Sequence, residues 1–197
     1  MSYLEHLSKD RKLALILPAT PLKLKQRKQV YLHLCGSIMS QQLSTKVADV
    51  LWGRFLALFE EDEPTPEQII ALDPTVLRGI GLSNAKVAYV QNVARFAIEQ
   101  GMEWKQLKKM NNEEVIAHLT QIKGVGRWTT EMLLMFALGR EDVFAIDDFG
   151  IQQAMIRLYK LDNTDRKAFR EKMLKIAAKW SPYRTYACMH LWRWKDQ

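Results

Sequence analysis

Two cysteines, four histidines and six prolines are a small stock of the residues that build disulfide frameworks, metal centres and rigid loops. Cys35 and Cys188 each fall inside an apolar helical pattern, which makes them buried free thiols. Two thiols cannot ligate an iron–sulfur cluster that needs four. The histidines are scattered without ligand spacing, so no catalytic metal is expected. No apolar run approaches the length of a membrane span, and the charged opening MSYLEHLSKDRK has no signal-peptide core. The expected compartment is the cytoplasm. Strand signals are also scarce: no segment keeps a period of two, and Val143-Phe144-Ala145-Ile146 is too short and isolated to matter. The reading is all α.

Acidic residues are outnumbered as well, 22 against 29 basic, which leaves a formal charge of +7 and favours a polyanionic partner. Otherwise the composition, 48% hydrophobic and 26% charged, is that of an ordinary globular protein. A chain of 197 residues suffices for one substantial core, or for two small lobes sharing a cleft.

What is present is mostly helix. Ser2 and Glu5 have capping-box spacing ahead of Leu4, Leu7, Leu13 and Ile16, which predicts a first helix ending before Pro18. Gln29 to Met39 is an apolar helix, and Ser44 caps another holding Val47, Val50, Leu51, Phe55, Leu58 and Phe59. After an acidic loop from Glu60 to Pro64, Thr65-Pro66 and Asp73-Pro74 open two short helices. Leu77-Arg78-Gly79-Ile80-Gly81-Leu82 is a Gly-x-Gly turn ahead of a Ser83-capped helix to about Gln100. Its bland reading, packing or turn formation, is preferred. Helices between Trp104 and Ile122 lead to the central stretch, Leu119 to Ile151. Beyond it come a helix to Lys160, a Thr164-capped helix to Trp180, and a last helix opened by Ser181-Pro182.

The central stretch reads as a helix end, a Gly124-Val125-Gly126 turn, a second helix, and a loop delivering Asp147 and Asp148 to a third. Glycines let the backbone turn sharply and approach another molecule without a Cβ in the way. The amides opening the next helix, around Arg127 to Thr129, lack intrahelical acceptors and suit a phosphate. Such contacts position a protein on DNA without reading bases. A Gly-x-Gly corner alone is weak, since many helix–helix turns use glycine. An aspartate at a helix start is, by itself, more often a simple cap.

Taken together, Lys123-Gly124-Val125-Gly126, Asp148 and Ile151 three residues on resemble the helix-hairpin-helix superfamily of DNA glycosylases. Lys123 stands where that family usually has proline, adding a cation beside the presumed phosphate. The resemblance implies a two-lobed all-α fold with the active-site cleft between lobes. It assigns Lys123, Gly124, Val125, Gly126, Arg127 and Thr129 to a hairpin on the DNA backbone, and catalysis to Asp148, with Asp147 as a cap or a partner behind it. Ile38-Met39-Ser40-Gln41-Gln42-Leu43-Ser44 resembles the family's wedge loop, with Ser40 in place of a glycine, and makes Gln42 or Leu43 the side chain that fills the gap left by an extruded base.

Trp128 occupies the position where lyase members carry a Schiff-base lysine, a role an indole cannot fill. Gly126-Arg127-Trp128-Thr129 looks like the 3-methyladenine DNA glycosylase II branch, as does Pro182 to Trp192 near the end of the chain. Trp128, Trp192 and Met132 then line the base pocket, where electron-rich indoles attract cationic purines. Met132 replaces an aromatic residue of that branch's best-known pocket. The implied protein is a compact monomer lacking the β-rich N-terminal domain of some members, acting on double-stranded DNA containing damaged bases. The resemblance admits a structural monovalent cation at the hairpin and no iron–sulfur cluster. It places residues 29–160 in one lobe, and 1–28 with 161–197 in the other.

Overall fold

A computed structural model describes residues 2–60 and 63–195. Among them every regular element is helical: α1 (Tyr3–Leu7), α2 (Val30–Ser40), α3 (Thr45–Leu56), α4 (Pro66–Ala71), α5 (Pro74–Gly79), α6 (Asn84–Gln100), α7 (Trp104–Lys109), α8 (Asn112–Leu119), α9 (Arg127–Phe136), α10 (Phe149–Tyr159), α11 (Arg166–Ala177) and α12 (Arg184–Lys195). Short 3-10 turns lie at Leu13–Ile16 and Ala178–Trp180. No helix among the described residues is long and apolar enough to cross a membrane. Part of the expected acidic loop, residues 61–62, lies outside the described residues.

The chain forms two compact units, 26–133 and 1–25 with 134–197. In the first, α6 is the central helix: α2, α4 and α5 all pack on it. Its buried stripe is Val87, Val90, Val93 and Ala94. Of the short helices here, α4, α5 and α8 are each opened by a side chain that accepts a first-turn amide, which helps six or eight residues hold as a helix, whereas α7 shows no such cap among the described residues. Thr65 with Gln68 and Asn111 with Glu114 form capping boxes at α4 and α8. Ser44 and Ser83 cap α3 and α6. Helix α3 buries Leu51 and Phe55 but leaves Val47 and Val50 exposed.

In the second unit α10 packs on α12, and α12 on the 3-10 turn at Leu13–Ile16. The Asp10 carboxylate ties the early residues to the later ones. It accepts hydrogen bonds from the Tyr159 hydroxyl (2.8 Å) and the Trp180 indole (3.0 Å). Asp142 does similar work at the start of α12, accepting from the Arg184 guanidinium (2.6 and 2.9 Å) and the Ser181 hydroxyl (2.8 Å).

Four expectations change. Asp148 and α10 belong with the terminal helices, not with the hairpin, because α10 packs on α12 and the loop before it is bonded there. In that loop Val143 N–H donates to Thr185 Oγ1 at 3.0 Å. The expected first helix is two pieces, since Asp10 Oδ1 accepts the amides of Lys12 and Leu13 and restarts the chain as a 3-10 turn. Asp165, not Thr164, caps α11, and Thr164 instead donates its hydroxyl to Asp162. The last helix begins at Arg184, after Pro182.

Candidate functional site

The unit 26–133 carries the hairpin and the wedge loop. After α8 the chain turns at Gly124, whose φ of 104° is left-handed and favours glycine. A Cβ on Gly124 would overlap the Tyr89 ring. Gly126 is different: nothing lies within 4 Å of where its Cβ would be. Helix α9 then starts at Arg127, so its first-turn amides have no acceptor within the helix.

Side chains around the turn divide by exposure. Val125 is buried, and Lys123 is exposed. Arg127 is engaged within the protein, bonding Glu113 (2.5 and 3.0 Å) and Glu131 (3.0 Å). The hydrogen bonding between Arg127 and Glu113 is the main cause that raises the Arg127 pKa and holds Glu113 below the usual carboxylate range. Thr129 is only 4% exposed, and its Oγ1 accepts a hydrogen bond from Gln41 Nε2 at 3.3 Å. The hairpin therefore offers an anion its backbone and Lys123 rather than the Thr129 hydroxyl. The turn is also closed by its own bonds. The carbonyl of Ile122 accepts from Val125 N–H, that of Lys123 from Asn92, and that of Gly126 from Thr130. The Ile122 and Lys123 oxygens each keep a second lone pair that the expected monovalent cation could share.

Trp128, 40% exposed, and Met132, half-buried, stand one turn apart on α9. In the wedge loop Gln42 has a left-handed φ of 61° and is exposed, as is Leu43. The Leu43 amide donates to the Ser40 carbonyl, 3.1 Å, which closes the loop tightly.

The second unit carries the carboxylate. Asp148 is 9% exposed and caps α10: its Oδ1 accepts the Ile151 amide at 2.8 Å. The same oxygen accepts the Trp192 indole N–H, also at 2.8 Å. The sequence assigns Trp192 to a pocket wall; the structure shows it as a hydrogen-bond donor to Asp148. Gly150 makes room for this, because a Cβ there would stand 3.0 Å from Trp192 Cδ1 and 3.1 Å from Asp148 Oδ1. Phe136 flanks the indole, with ring centroids 6.0 Å apart. Asp147 does not cap the helix. It is exposed and pairs with Arg170 on α11. The roles of Gly150 and Arg170 carried no signal in the sequence, since both depend on partners brought together by folding.

The chain resembles known proteins over most of its length. Residues 35–179 match the family described as HhH-GPD superfamily base excision DNA repair protein. DNA-3-methyladenine glycosylase 1 of Schizosaccharomyces pombe is 36% identical over 175 residues, which cover 88% of this chain and 75% of that protein. The putative DNA-3-methyladenine glycosylase YfjP of Bacillus subtilis is 35% identical over 180 residues, 88% of this chain and 61% of its own length. Among solved structures, the S. pombe 3-methyladenine DNA glycosylase in complex with abasic DNA superposes with a TM-score of 0.85 at 32% identity, covering 100% of this chain and 98% of that one. A DNA-3-methyladenine glycosidase from Bacillus halodurans gives the same TM-score at 30% identity, covering 99% and 89%. With the match spanning hairpin, wedge loop and Asp148 together, the chain belongs to the HhH-GPD superfamily of base excision DNA repair proteins.

Proposed function

We propose that this chain is a monofunctional DNA glycosylase that hydrolyses alkylated purines, of the 3-methyladenine and 7-methylguanine type, from duplex DNA and leaves an abasic site. The observation that carries the reading is the Asp148 carboxylate, nearly buried and clamped through one oxygen by the Ile151 amide and the Trp192 indole. Breaking an N-glycosidic bond builds positive charge on the sugar, and a fixed carboxylate stabilises that charge and orients the attacking water. An alkylated purine is already cationic and leaves without strong acid catalysis. The indole at Trp128 supplies a face that attracts such a cation and no amine for a Schiff base, so the reaction ends at hydrolysis. Gln42 or Leu43 fills the duplex, and the hairpin holds backbone phosphate. The names of the relatives point to the same chemistry. We place the enzyme in the cytoplasm, working as a monomer on chromosomal DNA.

The test is single-turnover base release from alkylated duplex by wild type, Asp148→Asn and Asp147→Asn. Asparagine also caps helices, so Asp148→Asn removes charge while keeping the fold. Release should fall by roughly a hundredfold to ten-thousandfold, with DNA affinity retained. Asp147→Asn breaks only an exposed ion pair and should change the rate by no more than about threefold. A damaging Asp147→Asn beside a mild Asp148→Asn would assign the chemistry to the wrong carboxylate.

A further inference from the structure

Beside the buried stripe of α6 runs a second, half-buried one: Lys86, Tyr89 and Asn92. A spacing of three places them on one side of the helix. Each meets a loop assigned above to DNA. The Lys86 ammonium donates to the main-chain carbonyls of Met39 (2.9 Å) and Gln41 (2.7 Å). The Tyr89 ring fills the space that the missing Cβ of Gly124 leaves. Asn92 Nδ2 donates to the Lys123 carbonyl at 3.2 Å. Wedge loop and hairpin, some 80 residues apart in sequence, are fastened to one helical face.

The chemistry at Lys86 is specific. Helix α2 ends at Ser40; the Gln41 and Leu43 amides bond the Ile38 and Ser40 carbonyls, while the carbonyls of Met39 and Gln41 take the Lys86 ammonium. A cation at a helix C-terminus satisfies them and complements the dipole. The next residue but one, Gln42, sits in a left-handed conformation that non-glycine residues avoid. Such a conformation persists only where its surroundings over-determine it. Here the constraints are Lys86 on the Gln41 carbonyl and the Gln41 side chain on Thr129. Burial lowers the pKa of Lys86, a cost that a lysine free to extend into water would not carry.

We propose that Lys86 is a positioning residue for base extrusion, bridging the Met39 and Gln41 carbonyls so that the Gln42–Leu43 loop is held in the shape that enters the duplex. Tyr89 and Asn92 fix the hairpin to the same helix face, so that gripping the backbone sets the depth of the wedge. The proposal rests on the glycosylase reading above.

The experiment compares wild type, Lys86→Met and Lys86→Arg on two substrates, an alkylated base in a fully paired duplex and the same base opposite an abasic site. The second substrate needs less unstacking, hence less of the wedge. Single-turnover rate constants are used because they do not depend on the folded fraction. Lys86→Met should slow release from the paired duplex about tenfold to a hundredfold, and from the abasic-opposed duplex about threefold or less. Lys86→Arg, which keeps donors and charge, should restore most of the rate. In a Gln42→Ala/Leu43→Ala background, Lys86→Met should add no further loss. Equal slowing on both substrates, or a full additional loss without the wedge, overturns the proposal and leaves Lys86 a fold residue. Fluorescence of 2-aminopurine beside the lesion reads unstacking independently of cleavage. A wild type that unstacks but releases no base sinks the glycosylase reading, while the loss of that signal in Lys86→Met still decides the lysine. A wild type that neither cleaves nor unstacks overturns both.

Discussion

At the scale of single residues, the pairing of Trp192 with Asp148 separates two jobs that one side chain performs. An indole ring can cover a base, and its N–H can hold a carboxylate in place; phenylalanine retains only the first. Trp192→Phe should therefore cost a hydrogen bond to a charged group, about 1.5–3 kcal/mol, or roughly tenfold to a hundredfold in single-turnover base release. Affinity for damaged duplex should change little. Gly150→Ala should act in the same direction with both partners still present, since its methyl would press on the indole and on Asp148 Oδ1. Normal rates with weakened binding to damaged DNA in both variants would restrict Trp192 to covering the base. The adjacent aspartate illustrates how much one register step matters. Asp147 faces outward to Arg170, whereas Asp148, the next residue, turns in to cap α10.

At the scale of elements, the hairpin's two glycines are not equivalent. Gly124→Ala faces both a left-handed φ and the Tyr89 ring, so it should destabilise the fold by roughly 1–2 kcal/mol or more. Gly126→Ala meets open space and should leave the melting temperature unchanged. If the turn lies against backbone phosphate, Gly126→Ala should weaken binding to damaged and undamaged duplex equally, by about threefold to tenfold, because phosphate contacts carry no base information. A loss confined to damaged DNA would move the hairpin into the base pocket. What was legible beforehand in these elements was local. Ser44, Thr65-Pro66 and Ser83 marked helix starts, whereas Thr164 and Ser181-Pro182 did not; Gly-Val-Gly marked the turn, and the three-residue step from Asp148 to Ile151 is the spacing of a side-chain cap on a helix amide. Contacts set by tertiary packing were not legible. Thr129 looked like a hairpin donor, yet its side chain bonds Gln41, 88 residues earlier. Arg127 looked available to phosphate, yet Glu113 holds it across a turn. The Ser83-capped helix gave no sign of these contacts, because nothing local shows that Lys86 reaches the end of another helix.

At the scale of the whole molecule, each unit holds one histidine that resists protonation, half-buried His33 in one and buried His190 in the other. Burial first, then the charge of Arg27 for His33 and of Arg193 for His190, lowers each pKa from the ordinary 6.5 to about 4. In the unfolded chain both bind a proton near pH 6.5, while in the folded chain they do so only near pH 4. The unfolded state therefore gains protons over that window, and stability must fall as pH drops from 6.5 to 4. The loss should be on the order of 1–3 kcal/mol for each histidine, seen as a falling urea midpoint. His190 is the cleaner probe, being 1% exposed, stacked on Tyr3, and with no hydrogen-bond partner for either ring nitrogen among the described residues. His190→Phe keeps the stack and should flatten part of the slope without loss at neutral pH; an unchanged slope would place the acid sensitivity elsewhere. Below that window Asp10 and Asp142 extend the decline. Burial alone would raise their pKa values, but the hydrogen bonds they accept outweigh it and hold both below the ordinary 3.8. The division of the chain has one more effect, in time rather than in space. Residues 26–133 form their unit from one uninterrupted segment, whereas residues 2–25 must wait for 134–195. On a ribosome, the unit that carries the hairpin and the wedge loop can fold while the rest of the other unit is still being translated. Asp148 emerges 44 residues before the indole that clamps it. On the assignments proposed above, a nascent chain would hold DNA before it could release a base, with chemistry waiting for the last helix.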